Sequence, residues 1–304
     1  MKYDVVIVGG GLGGLLCGYI LSKHGSRVVV LEKNAVVGGC LQSFRRHGIL
    51  FDTGMHYVGS VEPGQLLYRF WKYFDLLGDI RLRKLDEQAF DVVSYGGCRY
   101  PSAMGYEPWR EQLARFFPAE REALQRYTED LYKLSVSSPV SRLEEVGQAL
   151  PLEVEYVKTS ASEYIARLTA DPVLRNVLAG NTPLYAGKKG CTPFYIHAFL
   201  HNSYLQSAYR IVGGGQTIAD SLVASIRRMG GEVWNNSEVV QIRGTLAGVK
   251  GMQLKDGRYV EGDRFISAIH PQAMVGMLAG EMVKRSYCRR VRHLENTVAG
   301  FTVY

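Results

Sequence analysis

The amino-acid sequence predicts an α/β fold built on a dinucleotide-binding βαβ unit, with a largely helical segment inserted between the parts of a central sheet. Three observations carry that prediction. The chain opens on a strand, a glycine turn, a helix and a second strand ending in an acid. Its middle, from about residue 76 to 205, is mostly helical in periodicity and has no glycine phosphate motif. From about residue 206, glycine turns, one amphipathic helix and several strand-like segments return.

The first element is the run Val5, Val6, Ile7 and Val8, continuous apolar residues as in a buried parallel strand. Gly9, Gly11 and Gly14 follow at the GxGxxG spacing. The first glycine permits a tight turn, the second lets backbone approach a pyrophosphate, and the third lets the helix from Leu12 to His24 lie close to the strand. The helix N-terminus adds unpaired N–H groups and a partial positive charge that favour an anion by roughly 0.3–2 kcal/mol. Arg27 to Leu31 form the second strand, and Glu32 at its end is placed to accept hydrogen bonds from an adenosine ribose. A glycine-rich turn without a nucleotide is the competing reading of the three glycines alone. Strand, helix, second strand and terminal acid together argue against it. An acid at Glu32 repels a 2′-phosphate, which disfavours NADP and leaves NAD and FAD open.

The next run, LEKNAVVGGCLQSFRRHGILFDTGMHYVG, places a second glycine pair, Gly38-Gly39, directly after the ribose acid. A plain NAD domain has no use for it. Here the sequence resembles the FAD-dependent amine oxidase and phytoene desaturase superfamily, whose pattern is an acid, a short spacer, GG, and a strand ending FD-x-G. Cys40 stands where many members carry Arg. Together with Phe51-Asp52-Thr53-Gly54-Met55-His56-Tyr57 it resembles most the retinol saturase branch, followed by carotenoid isomerases and phytoene desaturases. The resemblance implies a Rossmann-type FAD-binding domain of the GR2 type over 1–75 and 206–270. It is interlaced with a substrate domain over 76–205 and 271–304, largely helical and carrying an antiparallel sheet. The expected cofactor-binding set is Gly9, Gly11, Leu12, Gly13, Gly14, Glu32, Lys33, Gly38, Gly39, Cys40, Gly54 and Met55, with the backbone of Val239 against adenine.

Beyond residue 85, FDVVSYGGCRYPS reads as a hairpin about Gly96-Gly97. Helical periodicity follows over Tyr106 to Phe117, from Pro118 to Ser135, over Val154 to Leu168 and over Val173 to Leu178. Gly213-Gly214-Gly215 then precede a helix from Thr217 to Met229, closed by Gly230-Gly231. EVWNNSEVVQIRG reads as the next strand and contains Val239 and Ile242, the V-x-x-I of the resembled family; an ordinary sheet core gives the same pattern. A meander over Gly248 to Val260 turns at Asp256-Gly257, and Arg264 to Ala268 return to the sheet, leading to Ser267-Ala268-Ile269-His270-Pro271.

Composition narrows the class. With 304 residues the chain can bury a large core, and 34 glycines suit a fold of many tight turns. Five cysteines without a CxxC point to a reducing compartment, with Cys17, Cys98, Cys191 and Cys288 filling space. No signal peptide precedes the first strand and no apolar run approaches the ~20 residues of a membrane helix, so a cytoplasmic location is expected. The net charge of +7 favours anionic lipid headgroups over nucleic acid as a partner surface. Arg289, Arg290, Arg292 and His293 form the densest basic cluster, read either as a solvated helix face or as a peripheral contact with the inner membrane.

The chemistry implied by the resemblance is hydride transfer at a flavin, on a carbon–carbon double bond of an isoprenoid substrate. Such chemistry asks little of side chains, which accords with the lack of a nucleophile, metal or paired-acid motif. A polyene needs an apolar tunnel, for which Tyr185, Phe194, Tyr195, Phe199, Tyr204 and Tyr209 are candidates; a plain core stripe is the alternative. His197 and His201 have a spacing compatible with zinc but no acidic partner, so packing is the expectation and no metal is assigned. His56 lies where the resemblance brings the chain near the flavin and is the candidate proton donor, with a structural hydrogen-bonding role as the alternative. Members of this superfamily continue to a further glycine-rich strand and helix beside the flavin ring, whereas this sequence stops at GFTVY. The expectation is therefore that it keeps the adenosine and pyrophosphate half of the site and binds FAD weakly or not at all. A flavin amine oxidase, and a cofactor-free prenyl-lipid binder of the Rab GDP-dissociation-inhibitor type, are the alternative functions.

Overall fold

The N-terminal apolar run forms the middle of a six-stranded sheet. In the computed structural model, which describes residues 2–137, 154–278 and 282–296, β1 (Lys2–Val8) pairs in parallel with β2 (Val28–Leu31) on one side and β13 (Tyr259–Ser267) on the other. β10 (Glu232–Trp234) adds in parallel outside β2, while β12 (Gly248–Leu254) and β11 (Val239–Thr245) continue antiparallel beyond β13. The order is β10-β2-β1-β13-β12-β11.

The pleat explains why these strands are apolar throughout. Val5 and Ile7 of β1 and Val28 and Val30 of β2 face α1 (Leu12–Lys23) and α9 (Gln216–Arg228), packing with Leu15, Tyr19, Leu222 and Ile226. Val6, Val8, Val29 and Leu31 point the other way, into Val239, Ile242, Met252, Leu254 and Val260 of the meander. Both faces are thus covered, as a parallel sheet requires.

One expected strand is divided. The EVWNNSEVVQIRG segment breaks at Asn236, which adopts a left-handed conformation (φ 51°) that Asn tolerates better than most residues. The chain from Trp234 to Ser237 runs beside the end of β2, with Glu32 N–H bonded to Trp234 O at 2.9 Å and Ser237 N–H to Glu32 O at 2.8 Å. β10 and β11 consequently lie at opposite ends of the strand order.

Between the nucleotide turn and the return to the sheet come the hairpin β3 (Ser43–Arg46) and β4 (Ile49–Asp52), then β5 (Val58–Gly59), α2 (Leu66–Tyr73) and β6 (Leu82–Lys84). The hairpin β7 (Asp91–Tyr95) and β8 (Cys98–Ser102) turns at Gly96-Gly97, both with positive φ, as the sequence predicts. The helices are α3 (Tyr106–Phe116), α4 (Arg121–Ser137), α5 (Val154–Lys158), α6 (Ala161–Leu168), α7 (Pro172–Leu178) and α8 (Phe194–Gln206). Pro118 opens a short 3-10 turn ahead of α4. The expected helix over 154–168 is two, because Ser160 starts a new one through a capping box: its hydroxyl accepts from Glu163 N–H, and the Glu163 carboxylate accepts from Ser160 N–H at 2.9 Å. These helices share an apolar cluster built on Trp109, Leu131, Ile165, Leu174 and Phe194, distinct from the two flanking the central sheet. β9 (Ala208–Ile211) follows α8 and joins β5 and β6 in a small antiparallel sheet that periodicity did not reveal. α10 (Pro271–Met277) and α11 (Arg285–Arg292) complete the described chain. Among the described residues no helix is long and apolar enough to cross a membrane.

Candidate functional site

The turn after β1 is shaped by close contacts and by one deliberate opening. Gly9 has φ 105° and donates its N–H to Leu31 O at 2.8 Å; a Cβ there would stand 2.8 Å from Ile269 Cγ2. A Cβ on Gly14 would overlap the Gly9 carbonyl oxygen, so this third glycine lets α1 press against the turn. Gly11 and Gly13 are different: a Cβ on either would meet nothing within 4 Å. Open space therefore lies over the first turn of α1, where Leu12 is exposed. The first helical bond runs from Leu15 N–H to Gly11 O at 3.0 Å, and no side chain caps the amides before it. Uncapped N–H groups beside a glycine-lined opening suit a phosphate.

Glu32 is buried at the end of β2. Its Oε2 accepts from Gly10 N–H at 2.8 Å and its Oε1 from Asn34 N–H at 2.9 Å. The sequence places this carboxylate to accept from a ribose, and in the structure each oxygen also accepts from a backbone N–H. A carboxylate oxygen retains a second lone pair, so a ribose hydroxyl remains accommodated. Gly10, outside the GxGxxG signature, is needed here, because a Cβ would stand 2.9 Å from Glu32 Cβ. Lys33 is exposed beside it. Val239 begins β11 two residues after Ser237, the residue bonded to the Glu32 carbonyl, which brings its backbone to the same end of the sheet. Its side chain is buried in the sheet core.

The second glycine pair packs onto the first motif. Gly38 (φ 115°) donates its N–H to Gly10 O at 2.7 Å and bridges Gly11, while a Cβ on Gly39 (φ 56°) would lie 3.2 Å from Gly11 Cα. Gly9 to Gly14 and Gly38-Gly39 thus form one glycine-lined surface. Cys40 is exposed in the 3-10 turn that follows, and Gly54 is drawn to it: a Cβ on Gly54 would be 3.2 Å from Cys40 O.

Sequence reasoning missed the group that ties this surface to the rest of the molecule. The Asp52 carboxylate accepts from Ser43 Oγ at 2.7 Å, from Gly215 N–H at 2.8 Å, and from the Arg210 guanidinium. Arg210 also donates to Met55 O at 2.9 Å and His56 O at 2.6 Å. The hairpin β3–β4, the loop with Met55 and His56, strand β9 and the turn into α9 are joined through these two side chains. The available signal was an acid closing the apolar strand ILFD. His56 packs edge-on against Tyr57 and Tyr204, and its Nδ1 is buried without a partner. Burial lowers its pKa below the ordinary histidine value and Arg210 adds to that, against an opposing backbone hydrogen bond at Tyr57. A ring kept neutral at pH 7 is a poor reservoir of an acidic proton, which weighs against the proton-donor role.

His197 and His201 are fully enclosed by the helical cluster. Tyr127 Oη lies 2.6 Å from His197 Nε2 and 2.8 Å from His201 Nδ1, and Tyr185 Oη lies 2.6 Å from His197 Nδ1. Hydrogen bonding within the core accounts for the pair, and among the described residues no group of three or more metal-ligating side chains forms. Among the described residues, the six aromatics proposed for a tunnel do not together line either of the two cavities that hold one of them. Phe194 is stacked on Tyr164 in the core, Tyr209 bonds Glu62 at 2.8 Å, and Tyr204 packs on His56 and Tyr57. Phe199 lines a cavity of about 640 Å³ between α2 and α8, and Tyr185 lines a separate one. Helix α8 turns its residues to several sides, so Phe194 lies in the core, as the plain-core alternative expects, while Phe199 faces the cavity.

Comparison with known proteins agrees with this architecture. Residues 7–74 match the family model described as an NAD(P)-binding Rossmann-like domain. All-trans-retinol 13,14-reductase of Homo sapiens is 30% identical over 282 residues, 84% of this chain and 45% of that protein. Prolycopene isomerase 1 of an Oncidium hybrid cultivar is 25% identical, over 84% of this chain and 46% of its own. A phytoene desaturase (lycopene-forming) of Paracoccus sp. is 24% identical, over 86% of this chain and 54% of its own. The homologues of this chain are retinol reductases, prolycopene isomerases and phytoene desaturases. The chain spans about half the length of these curated relatives. The fold is shared with a Methanosarcina mazei oxidoreductase (TM-score 0.72, 20% identity, 97% of this chain and 66% of that one) and with putrescine oxidase (TM-score 0.69, 18% identity, 96% and 63%).

Proposed function

We propose that this chain is an FAD-dependent oxidoreductase transferring hydride to or from a carbon–carbon double bond of an isoprenoid or polyene lipid, in the manner of retinol saturases and phytoene desaturases. The observation that carries the reading is the joined surface of Gly9 to Gly14 and Gly38-Gly39 beside the buried Glu32. In this reading the amides at the start of α1 and the glycine edge hold the pyrophosphate, and Glu32 with the backbone of Val239 holds the adenosine. Lys33 flanks the adenosine, while Cys40, Gly54 and Met55 bound the side from which the rest of the cofactor extends. When bound, the flavin itself supplies the redox chemistry, accepting or donating the hydride. The chain's own residues position it and exclude water. The cofactor domain is assigned to 1–75 and 206–270, and the substrate domain to 76–205 and 271–304.

The experiment is purification of the chain, flavin spectroscopy and identification of any released nucleotide. FAD release supports the reading. A nucleotide-free protein that captures a prenyl lipid would instead favour a non-catalytic binder. His56→Ala retaining full turnover with bound flavin would remove the proton-donor role for that residue. A peripheral contact with anionic headgroups through Arg289, Arg290 and Arg292, all exposed on α11, belongs to the same proposal. Vesicle sedimentation unchanged in Arg289→Glu/Arg290→Glu would remove it.

A further inference from the structure

A second cavity, remote in sequence from the glycine turns, has the chemistry of a lipid-anion site. It is a half-open cleft of about 960 Å³ between α6, α7 and the loop that follows α7, near the upper end of the ~300–1,000 Å³ usual for small-molecule sites. Its walls are mainly apolar, with Ile165, Pro172, Ala179 and Pro183 among them. Three cations, Arg175, Lys188 and Lys189, belong to its lining, and no Asp or Glu does. Lys189 has no ion-pair partner among the described residues, and Lys188 has only the exposed Glu295 at 3.7 Å. The Arg175 guanidinium is bonded to the carbonyls of Thr169 and Ala166, so it holds its place while its charge remains uncompensated by any carboxylate in the lining.

The inner wall is built. Tyr185 lines the cavity and is fixed from behind by His197, itself fixed by Tyr127, which also holds His201. All three supporting side chains are buried and neutral at pH 7, so the wall adds no charge to compete with the lysines.

We propose that this cavity binds a single-chain amphipathic carboxylate of the fatty-acid class, its chain against the apolar wall and its head between Lys188 and Lys189. The proposal is separate from the flavin reading and does not depend on it. An apolar interior beside three cations and no lining carboxylate complements an amphipathic anion, since a neutral lipid would leave the cations unmatched and a free phosphate would leave the walls unmatched.

The test titrates the 304-residue chain with a fluorescent long-chain polyenoic acid, with displacement by hexadecanoic acid and by hexadecanol. Saturable 1:1 binding is expected, with hexadecanol a displacer at least tenfold weaker. Lys188→Glu/Lys189→Glu is expected to weaken binding at least tenfold, about 1.4 kcal/mol. Ala179→Phe, which fills the cavity, is expected to weaken it similarly at an unchanged circular dichroism spectrum. Should Ala179→Phe misfold, the exposed lysine pair still decides. Absence of saturable binding, indifference to the lysine substitutions, or equal displacement by hexadecanol overturns the proposal. Uptake seen only with phosphatidylglycerol vesicles, and not with the monomeric acid, also overturns it.

Discussion

Two glycines three residues apart illustrate how differently one residue type is used. Gly14→Ala would drive a methyl group into the Gly9 carbonyl and is expected to destabilise the fold by about 1–3 kcal/mol, read from a denaturant titration. Gly11→Val places its Cβ in open space at an ordinary φ of −74°. Its cost should stay within about 1 kcal/mol, the effect of replacing a glycine N-cap, while any bound phosphate is obstructed. The Asp52–Arg210 pair predicts a third outcome. Asp52→Ala strips partners from Arg210, Ser43 and Gly215 at once, and should cost about 1–3 kcal/mol. The buried histidines set a pH dependence. Burial lowers His197 to about 4 and His201 to about 3, with His197 adding to the latter. Both are neutral when folded, and the unfolded chain takes up protons below about pH 6.5. Stability should therefore be flat above pH 7 and fall by a few kcal/mol as pH drops from about 6.5 towards 4. A thermal midpoint unchanged across that window would refute the assignment. The glycine spacing was legible because its constraint is local. Asp52 and Arg210 were not, because they meet across 158 positions of sequence.

Elements were legible where periodicity alone decides them. The β1–α1–β2 unit, the Gly96-Gly97 hairpin and α9 fall close to their expected places. The expected helix over 154–168 failed because apolar spacing continues through Thr159-Ser160, whereas the chain stops and restarts at a capping box. Ser160→Ala removes the cap and is expected to cost about 1 kcal/mol, measured by chemical denaturation. The divided strand failed for a related reason: Asn235-Asn236 sits between two good strand patterns, and only its left-handed turn sends them to opposite edges. Strands β5 and β9 were invisible because a two-residue strand and its distant partner carry no period.

At the scale of the whole molecule, an interrupted nucleotide fold could be read from two glycine-rich regions on either side of helical sequence. The strand order, and the meander folding over the second face of β1 and β2, could not, because pairing across such separations depends on packing that a single sequence does not display. The central claim is that the two glycine motifs and Glu32 form one binding surface for the adenosine diphosphate half of FAD. Isothermal titration of the chain with FAD, beside Gly11→Val, tests it most directly. The account predicts a single weak FAD site, displaced by ADP and not by NADP, and weakened at least tenfold in Gly11→Val at nearly unchanged stability. Absence of both FAD and ADP binding by the unsubstituted chain, or equal binding by Gly11→Val, would contradict it.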